Sequence, residues 1–295
     1  MTRITNLKAH SALLGANILY GLNYVIAKGI MPDYLAPRAI IMIRVLGAVV
    51  FFWLLHQLWI KEKVKRKDLI RLAICALFGV AINQILFFEG LNLSTPINAS
   101  LIMLIVPIVV LVFSAILLHE KVTGSKVIGI ALGLSGAFMI VLSSGAISFE
   151  SEHFVGNLLL FINASSFGFY LVLIKPMMIK YHPLTVMKWV FLFGLVYIFP
   201  FCIGPASQAS WASLPFDIWM SVLYVIIGTT ILAYLLFNYS LKFVSPVVSS
   251  MYMYLQPLLA GIVSLILGME GLTYIEAIAA VLVFSGVYFV SLRRR

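Results

Sequence analysis

Long apolar runs are the feature that most constrains the fold of this 295-residue chain. A helix that crosses a bilayer needs roughly 17–25 predominantly apolar residues. Hydrophobic residues make up 63% of the chain and charged residues 10%, a balance far too apolar for a soluble domain. None of the runs alternates as barrel strands do, so the sequence predicts an all-α integral membrane protein. Its ten predicted transmembrane helices cover residues 11–31, 39–60, 69–91, 97–118, 126–143, 155–175, 184–203, 217–241, 247–269 and 273–292.

The basic residues predict the orientation of these helices. When the N-terminus is placed in the cytoplasm, most of the 20 Lys and Arg residues fall on the cytoplasmic side, including a cluster at residues 61–71. This positive-inside bias predicts cytoplasmic N- and C-termini and a location in the cell membrane, either an inner or a plasma membrane. Because topology explains the net charge of +10, we expect the lipid bilayer as a partner and no nucleic acid.

The second half of the chain repeats the first. Residues 87–142 align without a gap with residues 237–292, and several of the matches are too specific for apolar bias alone. Each half contains five predicted spans, so the second half must enter the membrane from the opposite side. The sequence therefore predicts two inverted five-helix repeats, residues 1–146 and 147–295. The specific matches include Pro96/Pro246, Pro107/Pro257, Glu120/Glu270 and Thr123/Thr273.

Several short motifs resemble those of a known family. They are Tyr20-Gly-Leu-Asn-Tyr24 with Lys28 in the first span, Pro37 and Arg44 in the second, and the two Pro…Glu…Thr…Gly phrases. Together with the ten spans and the duplication, they look like the drug/metabolite transporter superfamily, specifically its EamA branch, over essentially the whole chain. The resemblance implies export or exchange of small metabolites such as amino acids, by alternating access around a central cavity.

Polar and aromatic residues lie on single faces of otherwise apolar helices. In the first span they recur at i, i+3, i+7 and i+11, and the sixth span repeats that spacing. Two matching faces would form a cavity suited to an amphipathic solute. The alternative is that these side chains join helices, at roughly 1 kcal/mol per contact. The predicted substrate-binding residues are Asn17, Tyr20, Tyr24, Lys28, Asn83, Phe87, Asn163, Ser166, Tyr170, Tyr234, Asn238, Tyr252 and Gln256.

Three charged residues lie in the outer third of the predicted spans, where charges tend to be paired or functional. We expect Arg44 and Glu89 to form a buried ion pair, because an unpaired buried charge costs several kcal/mol. Lys28 is then left on the polar face of the first span. There we expect it to attract a carboxylate of the substrate.

Two repeated pairs of residues have structural or gating roles in this interpretation. Glu120 and Glu270 stand at span ends, where a carboxylate favours the positive N-terminal end of the next helix, so we expect them to stabilise turns. Pro107 and Pro257 lie within spans, and each frees the carbonyl group four residues earlier. A fixed bend and a hinge are both compatible with that placement.

The leading functional hypothesis is a secondary transporter that exports or exchanges amino acids or similar small metabolites. The alternative is a multidrug efflux transporter for lipophilic compounds, which usually needs a membrane carboxylate that the predicted cavity lacks. A membrane-embedded enzyme is less favoured because the five histidines are scattered, and the repeated polar faces disfavour a non-transporting subunit. We expect no enzymatic activity, no metal and no cofactor, and a monomer or homodimer that binds a small-molecule substrate.

Overall fold

The computed structural model describes residues 3–60, 62–143, 153–256, 259 and 274–291. Within these ranges the chain forms helices joined by short connections, and it contains no strand. The helices are α1 (Arg3–Ile30), α2 (Pro37–Trp59), α3 (Arg66–Leu93), α4 (Pro96–Ile102), α5 (Val106–Leu117), α6 (Gly124–Ser143), α7 (Phe154–Lys180), α8 (Pro183–Gln208), α9 (Phe216–Leu241), α10 (Pro246–Met251) and α11 (Tyr274–Ser291).

Seven helical stretches in the described part of the chain are long and apolar enough to cross a membrane. They correspond to the predicted spans one to four and six to eight, and they confirm the all-helical membrane class. The count of ten spans and the inverted repeats stay predictions, because most of the predicted ninth span lies outside the described residues. The seven stretches are Leu7–Ile30, Pro37–Trp59, Arg66–Leu93, Asn98–Leu117, Phe154–Lys180, Pro183–Gln208 and Phe216–Leu241.

Proline marks the start of four helices, α2, α4, α8 and α10. Proline suits the first helical position, since its fixed φ is already helical and its missing N–H would have no partner there. Three of these starts carry a side-chain cap, and at α8 the His182 Nδ1 accepts a hydrogen bond from the Leu184 backbone amide at 3.3 Å. The Thr95 hydroxyl accepts a hydrogen bond from the Asn98 amide at 3.1 Å, and the Ser245 hydroxyl accepts one from the Val248 amide at 3.3 Å. The corresponding starts of α4 and α10 are therefore capped alike.

Irregular turns also recur at corresponding places. A π-helical segment, Leu77–Ile82, interrupts α3, and another, Tyr224–Ala233, interrupts α9. A 3-10 turn, Met103–Ile105, joins α4 to α5, just before Pro107. Because Pro107 has no N–H to offer the Met103 carbonyl, that carbonyl instead accepts a bond from the Val106 amide, which tightens the turn. A second 3-10 turn, Tyr252–Tyr254, follows α10.

Many helix contacts join the first half of the chain to the second. Helix α2 packs against α8 and α9, α3 packs against α7 and α8, α1 packs against α9, α5 against α10 and α6 against α11. Exchanging helices for their counterparts in the other half converts one of these contacts into another: α1–α9 becomes α7–α3, and α2–α9 becomes α8–α3. The interior therefore lies where the halves meet.

Helices α6 and α11 approach each other through glycines. A Cβ atom added at Gly286 would lie 2.5 Å from the Gly129 carbonyl oxygen and 2.7 Å from the Gly133 amide nitrogen. Gly129 and Gly133 are four residues apart and so share one face of α6. Small residues at this spacing let helix backbones pack closely in lipid, where dispersion forces and not the hydrophobic effect drive helix association.

Candidate substrate-binding cavity

A small cavity, here called the central cavity, lies where helices of both halves meet. It offers about 60 Å³ to the centres of water molecules, which is room for a few waters. Aromatic and amide side chains dominate its walls, and one cation reaches it. The lining residues are Tyr20, Asn23, Tyr24, Arg44, Asn83, Gln84, Phe87, Met103, Asn163, Phe167, Tyr234, Met253 and Gln256.

The predicted substrate-binding residues fall into two groups in the structure. Seven of them line the central cavity: Tyr20, Tyr24, Asn83, Phe87, Asn163, Tyr234 and Gln256. Six do not line it: Asn17, Lys28, Ser166, Tyr170, Asn238 and Tyr252. The role of both groups in substrate binding stays a prediction. The contacts that the residues make in this structure are as follows.

A chain of hydrogen bonds connects α1 to the segment that follows α10. The Tyr24 hydroxyl donates to Gln256 Oε1 at 2.9 Å, and Gln256 Nε2 donates to Asn17 Oδ1 at 2.9 Å. Asn17 Nδ2 in turn donates to the Leu13 carbonyl at 2.8 Å. Asn17 is fully buried and therefore orients the cavity wall from behind. In a low-dielectric interior such a connected chain fixes the side chains it includes.

The Tyr234 hydroxyl connects α9 to the π-helical segment of α3. It lies 3.0 Å from the Gly79 carbonyl oxygen and 3.1 Å from Asn83 Oδ1, and it accepts a hydrogen bond from Gln84 Nε2 at 3.1 Å. A π-helical turn leaves carbonyl groups poorly satisfied by the helix itself. In a membrane such groups need partners from neighbouring helices, and Tyr234 supplies one.

Helix α7 supplies further partners to the same region of α3. Asn163 Nδ2 donates to the Asn83 carbonyl at 2.7 Å, and the Ser166 hydroxyl donates to the Phe78 carbonyl at 2.7 Å. One turn beyond Ser166, the Tyr170 hydroxyl donates to Asn238 Oδ1 at 2.8 Å. Ser166, Tyr170 and Asn238 thus join helices, which is the alternative that their spacing left open.

Arg44 brings a positive charge to the central cavity. It is 4% exposed, and its Nε donates to the Thr230 hydroxyl at 2.6 Å. Its Nη2 lies 3.5 Å from the Thr229 hydroxyl, and its guanidinium carbon lies 4.8 Å from the centre of the Phe88 ring. The aromatic ring and two hydroxyl groups stabilise the cation only in part. Among the described side chains no carboxylate contacts it.

The predicted ion pair between Arg44 and Glu89 is wrong. Glu89 Oε1 accepts a hydrogen bond from Arg38 Nε at 2.7 Å, in a pair whose side chains are 23% and 45% exposed, respectively. Arg38 stands six residues before Arg44 on α2, which is about 9 Å along a helix. Arg38 is therefore closer to the start of α2, where contact with water reduces the desolvation cost of an ion pair. Glu89 therefore pairs with the outer arginine, and the inner one has no counter-ion among the residues that the structure describes.

Lys28 binds a helix end and does not line the cavity. Its ammonium donates to the carbonyl oxygens of Leu91, Asn92 and Ser94, at 3.0, 2.8 and 3.0 Å. These carbonyls stand at the C-terminal end of α3, where helix carbonyls lack regular partners and the helix dipole favours a cation. The Leu91 carbonyl also accepts a bond from the Ser94 backbone amide at 3.4 Å. In this structure the ammonium of Lys28 thus has three carbonyl partners, and its expected attraction of a substrate carboxylate stays a prediction.

Lys175 does the same in the other half of the chain. Its ammonium donates to the carbonyl oxygens of Leu241, the last residue of α9, and of Val244 at 2.8 Å. Helices α7 and α9 correspond to α1 and α3. The two lysines differ by one residue from an exact sequence match, yet each neutralises the same end of the corresponding helix.

Tyr252 and Glu120 do not line the central cavity. The Tyr252 hydroxyl contacts His10 Nδ1 at 2.6 Å. Glu120 accepts a hydrogen bond from Lys126, in the first turn of α6, at 2.9 Å. Pro257 and Glu270 lie outside the described residues, so their structural or gating roles stay predictions.

A family comparison adds to this geometry. The model of the EamA-like transporter family matches the chain twice, over residues 7–142 and over residues 154–292. The chain belongs to the EamA-like transporter family.

Other proteins resemble this EamA-type transporter over most of their length. An uncharacterized transporter of Bacillus subtilis, YyaM, is 25% identical over 96% of this chain and 93% of its own. A probable terminal-alkyne amino-acid exporter of Streptantibioticus cattleyicolor is 25% identical over 70% of this chain and 67% of its own. A protein of known crystal structure has a TM-score of 0.73, an identity of 18% and 99% coverage of both chains, which shows a shared fold.

Six cavity residues of this EamA-type transporter were not among the predicted binding residues: Arg44, for which a structural role was predicted, and Asn23, Gln84, Met103, Phe167 and Met253. Asn23 belongs to the quoted Tyr20–Tyr24 motif, and Gln84 and Phe167 each directly follow a predicted residue. Asn23, Gln84 and Phe167 therefore lie directly beside predicted residues, and the helical rows predicted from the sequence, such as i, i+3, i+7 and i+11 in the first span, do not include them. Within the described ranges no group of three His, Cys, Asp or Glu residues is placed to hold a metal ion.

Proposed function

We propose that this EamA-type transporter is a secondary transporter that exports or exchanges amino acids or similar small metabolites by alternating access around the central cavity. The observation that carries the proposal is the cavity itself: both halves of the chain line it with aromatic rings, amide groups and one buried cation. Such walls suit a small solute with both apolar and charged parts. The similarity to an amino-acid exporter supports this substrate class.

The proposal includes two inverted five-helix repeats, with both termini in the cytoplasm. One family model matches each half in turn. The halves also share π-helical segments, 3-10 turns, helix caps and lysine-bound helix ends at corresponding positions. Because a repeat with five spans reverses the direction of the chain, its copy has the opposite orientation.

We propose the irregular turns as the places where the helices bend. The central cavity offers about 60 Å³ to the centres of water molecules, so passage of an amino acid requires its walls to separate. The π-helical segments of α3 and α9 and the 3-10 turn before Pro107 stand beside the cavity, and irregular turns of this kind often mark hinges. Movement of α3 and α9 would widen it, first toward one side of the membrane and then toward the other.

The composition of the cavity wall disfavours efflux of lipophilic cations. A transported cation needs a counter-charge in the membrane interior. None of the lining residues is Asp or Glu, and the one charged residue is Arg44. This observation favours a solute that carries a negative charge.

Transport by the purified protein tests the proposal. Proteoliposomes loaded with an unlabelled mixture of amino acids should accumulate labelled amino acid from outside by exchange, whereas protein-free liposomes should not. Tyr24→Ala, in the cavity wall, should lower the initial rate by roughly tenfold through loss of a packed aromatic ring and its hydrogen bond. Val281→Ala, at a residue that is 66% exposed on α11, is the matched control and should not.

The same vesicles separate the alternatives. Exchange of a lipophilic cation such as tetraphenylphosphonium, without exchange of any amino acid, would favour multidrug efflux. Exchange of neither class would contradict a transporter of such solutes.

A further inference from the structure

We propose that the central cavity recognises a zwitterion, with Arg44 binding the carboxylate and the amide oxygens of Asn23, Gln84 and Asn163 binding the ammonium group. The ligand class is therefore the α-amino acid with both charged groups free. The inference rests on the proposed function, because it names the chemical groups by which that site selects its solute.

The first step concerns Arg44. Its side chain has five N–H donors, and its protein partners are the hydroxyl groups of Thr229 and Thr230. The other described cations of the interior have different surroundings: Lys28 and Lys175 bind backbone carbonyls, and Lys188 lies 4.0 Å from the centre of the Trp53 ring. A buried guanidinium with free donors at a cavity is suited to bind a carboxylate in a two-point geometry.

The second step concerns acceptors. Asn23 Oδ1, Gln84 Oε1 and Asn163 Oδ1 are buried and have no hydrogen-bond partner within the described structure. Their residues are 4%, 1% and 0% exposed, and all three line the central cavity. The amide nitrogens of Gln84 and Asn163 are engaged elsewhere, by Tyr234 and by the Asn83 carbonyl, which fixes which amide atom is left unpaired.

The third step joins the two. A buried acceptor without a hydrogen-bond donor costs folding free energy. A ligand that supplies the donor recovers that free energy and therefore binds more tightly. Neutral amide oxygens can accept hydrogen bonds from an ammonium group but cannot neutralise it, and Arg44 repels it. A lone amine therefore lacks a counter-charge in this cavity, whereas an amino acid carries its own.

The aromatic walls complete the selection. The Tyr24 ring lies 5.7 Å from the Phe87 ring, and the Tyr20 ring lies 6.2 Å from the Tyr234 ring. These rings line the same cavity as the polar atoms and provide an apolar surface for the side chain of the bound amino acid.

Ligand binding to the purified wild-type protein is the first test. L-leucine, leucinamide, 4-methylpentanoate and 3-methylbutylamine share one apolar body and differ in their charged groups. We expect leucine to stabilise the protein against heat and each of the other three to need roughly tenfold or higher concentration for the same shift. The same order should hold when the four compounds compete with labelled leucine for transport.

Two variants assign the ends of the ligand. Arg44→Gln should weaken binding of leucine and of 4-methylpentanoate by roughly 10- to 100-fold and leave 3-methylbutylamine unchanged or improved. Gln84→Met, which removes an acceptor, should weaken leucine and 3-methylbutylamine and spare 4-methylpentanoate. Lys188→Gln is the matched control: it removes a cation that is 8% exposed but does not line the central cavity, and all four affinities should persist.

The outcomes decide the inference. Equal affinity of wild-type protein for leucine and leucinamide would overturn it, as would an equal loss for all four compounds in Arg44→Gln. If Arg44→Gln does not fold, Arg44→Lys, which keeps the positive charge, replaces it. The comparison of leucine with leucinamide on the wild-type protein tests the inference without any variant. Leucine that binds with the expected selectivity but is not transported would refute the proposed function and keep the site. If leucine is transported but the three analogues compete with it as well as unlabelled leucine does, the proposed function is kept and the proposed site is refuted.

Discussion

Lys28→Met should destabilise the protein without abolishing transport by the molecules that fold. The substitution keeps an unbranched apolar side chain that is one atom shorter, and it removes the ammonium that binds three carbonyl oxygens at the end of α3. Hydrogen bonds to a charged group contribute about 1.5–3 kcal/mol, and a cation at a helix C-terminus adds roughly 0.3–1 kcal/mol. Because one partly buried ammonium binds all three carbonyls, the energy of a single charged hydrogen bond is not counted three times. We expect a total loss of about 2–3 kcal/mol.

Unfolding of the purified protein by SDS in mixed micelles, followed by circular dichroism, measures this loss. Lys28→Arg retains the charge and should recover most of the stability. Lys175→Met removes the corresponding contact at the end of α9 and should cost a similar amount. The double variant Lys28→Met/Lys175→Met should show additive losses if the two helix ends are independent, because distant sites without shared partners usually add.

Transport measured per folded molecule distinguishes this role from substrate binding. If Lys28 stabilises the end of α3, the KM for exchange in proteoliposomes should change less than about twofold in Lys28→Met. Unchanged stability together with lost transport would refute the helix-end role and restore Lys28 as a substrate-binding residue.

The orientation, the glycine contact and the exposed ion pair each give a further test. The native cysteines are buried, so a cysteine introduced at Ser151 should react with an impermeant thiol reagent from outside the cell and one at Lys65 only after permeabilisation; equal labelling from outside would contradict cytoplasmic termini. Gly286→Leu should sharply lower the yield of folded protein, because backbone atoms of α6 cannot move aside, whereas Gly204→Leu, with nothing within 4 Å of its Cβ, should not; similar yields would exclude the close packing. Glu89→Gln should change the unfolding free energy by less than about 1 kcal/mol, since its ion pair is exposed; a loss above about 2 kcal/mol would show that the pair is buried in the membrane.

Much of the architecture could be read from the chain because a bilayer permits few solutions. Backbone groups in lipid must be satisfied within the segment, so a long apolar run without alternation is a helix. The seven membrane-capable stretches coincide with predicted spans for that reason. The duplicated prolines likewise indicated irregularity before any coordinates, since Pro107 cannot donate the bond that a regular helix requires.

The site was less accessible, because periodicity specifies the face of a helix but not the neighbour that meets it. In α9, Tyr234 and Asn238 stand four residues apart and so share a face, yet Tyr234 lines the cavity while Asn238 binds Tyr170. The π-helical segments add a second obstacle. Each extra residue in a turn rotates all that follows by about 100°, so spacing counted along α3 or α9 does not predict a common face.

The sequence by itself determined the membrane class, the location of most spans, the duplication and the family, because these follow from apolar length, charge bias and repeated motifs. Only the tertiary structure decided which charge serves which purpose. Lys28, Arg38, Arg44 and Glu89 lie on three different helices, and a flexible side chain reaches several candidate partners there. Packing placed Lys28 at a helix end and Arg38 beside Glu89. Arg44 lines the cavity and donates to the Thr230 hydroxyl on α9. Contacts between different helices depend on three-dimensional proximity, which the spacing along one helix does not encode.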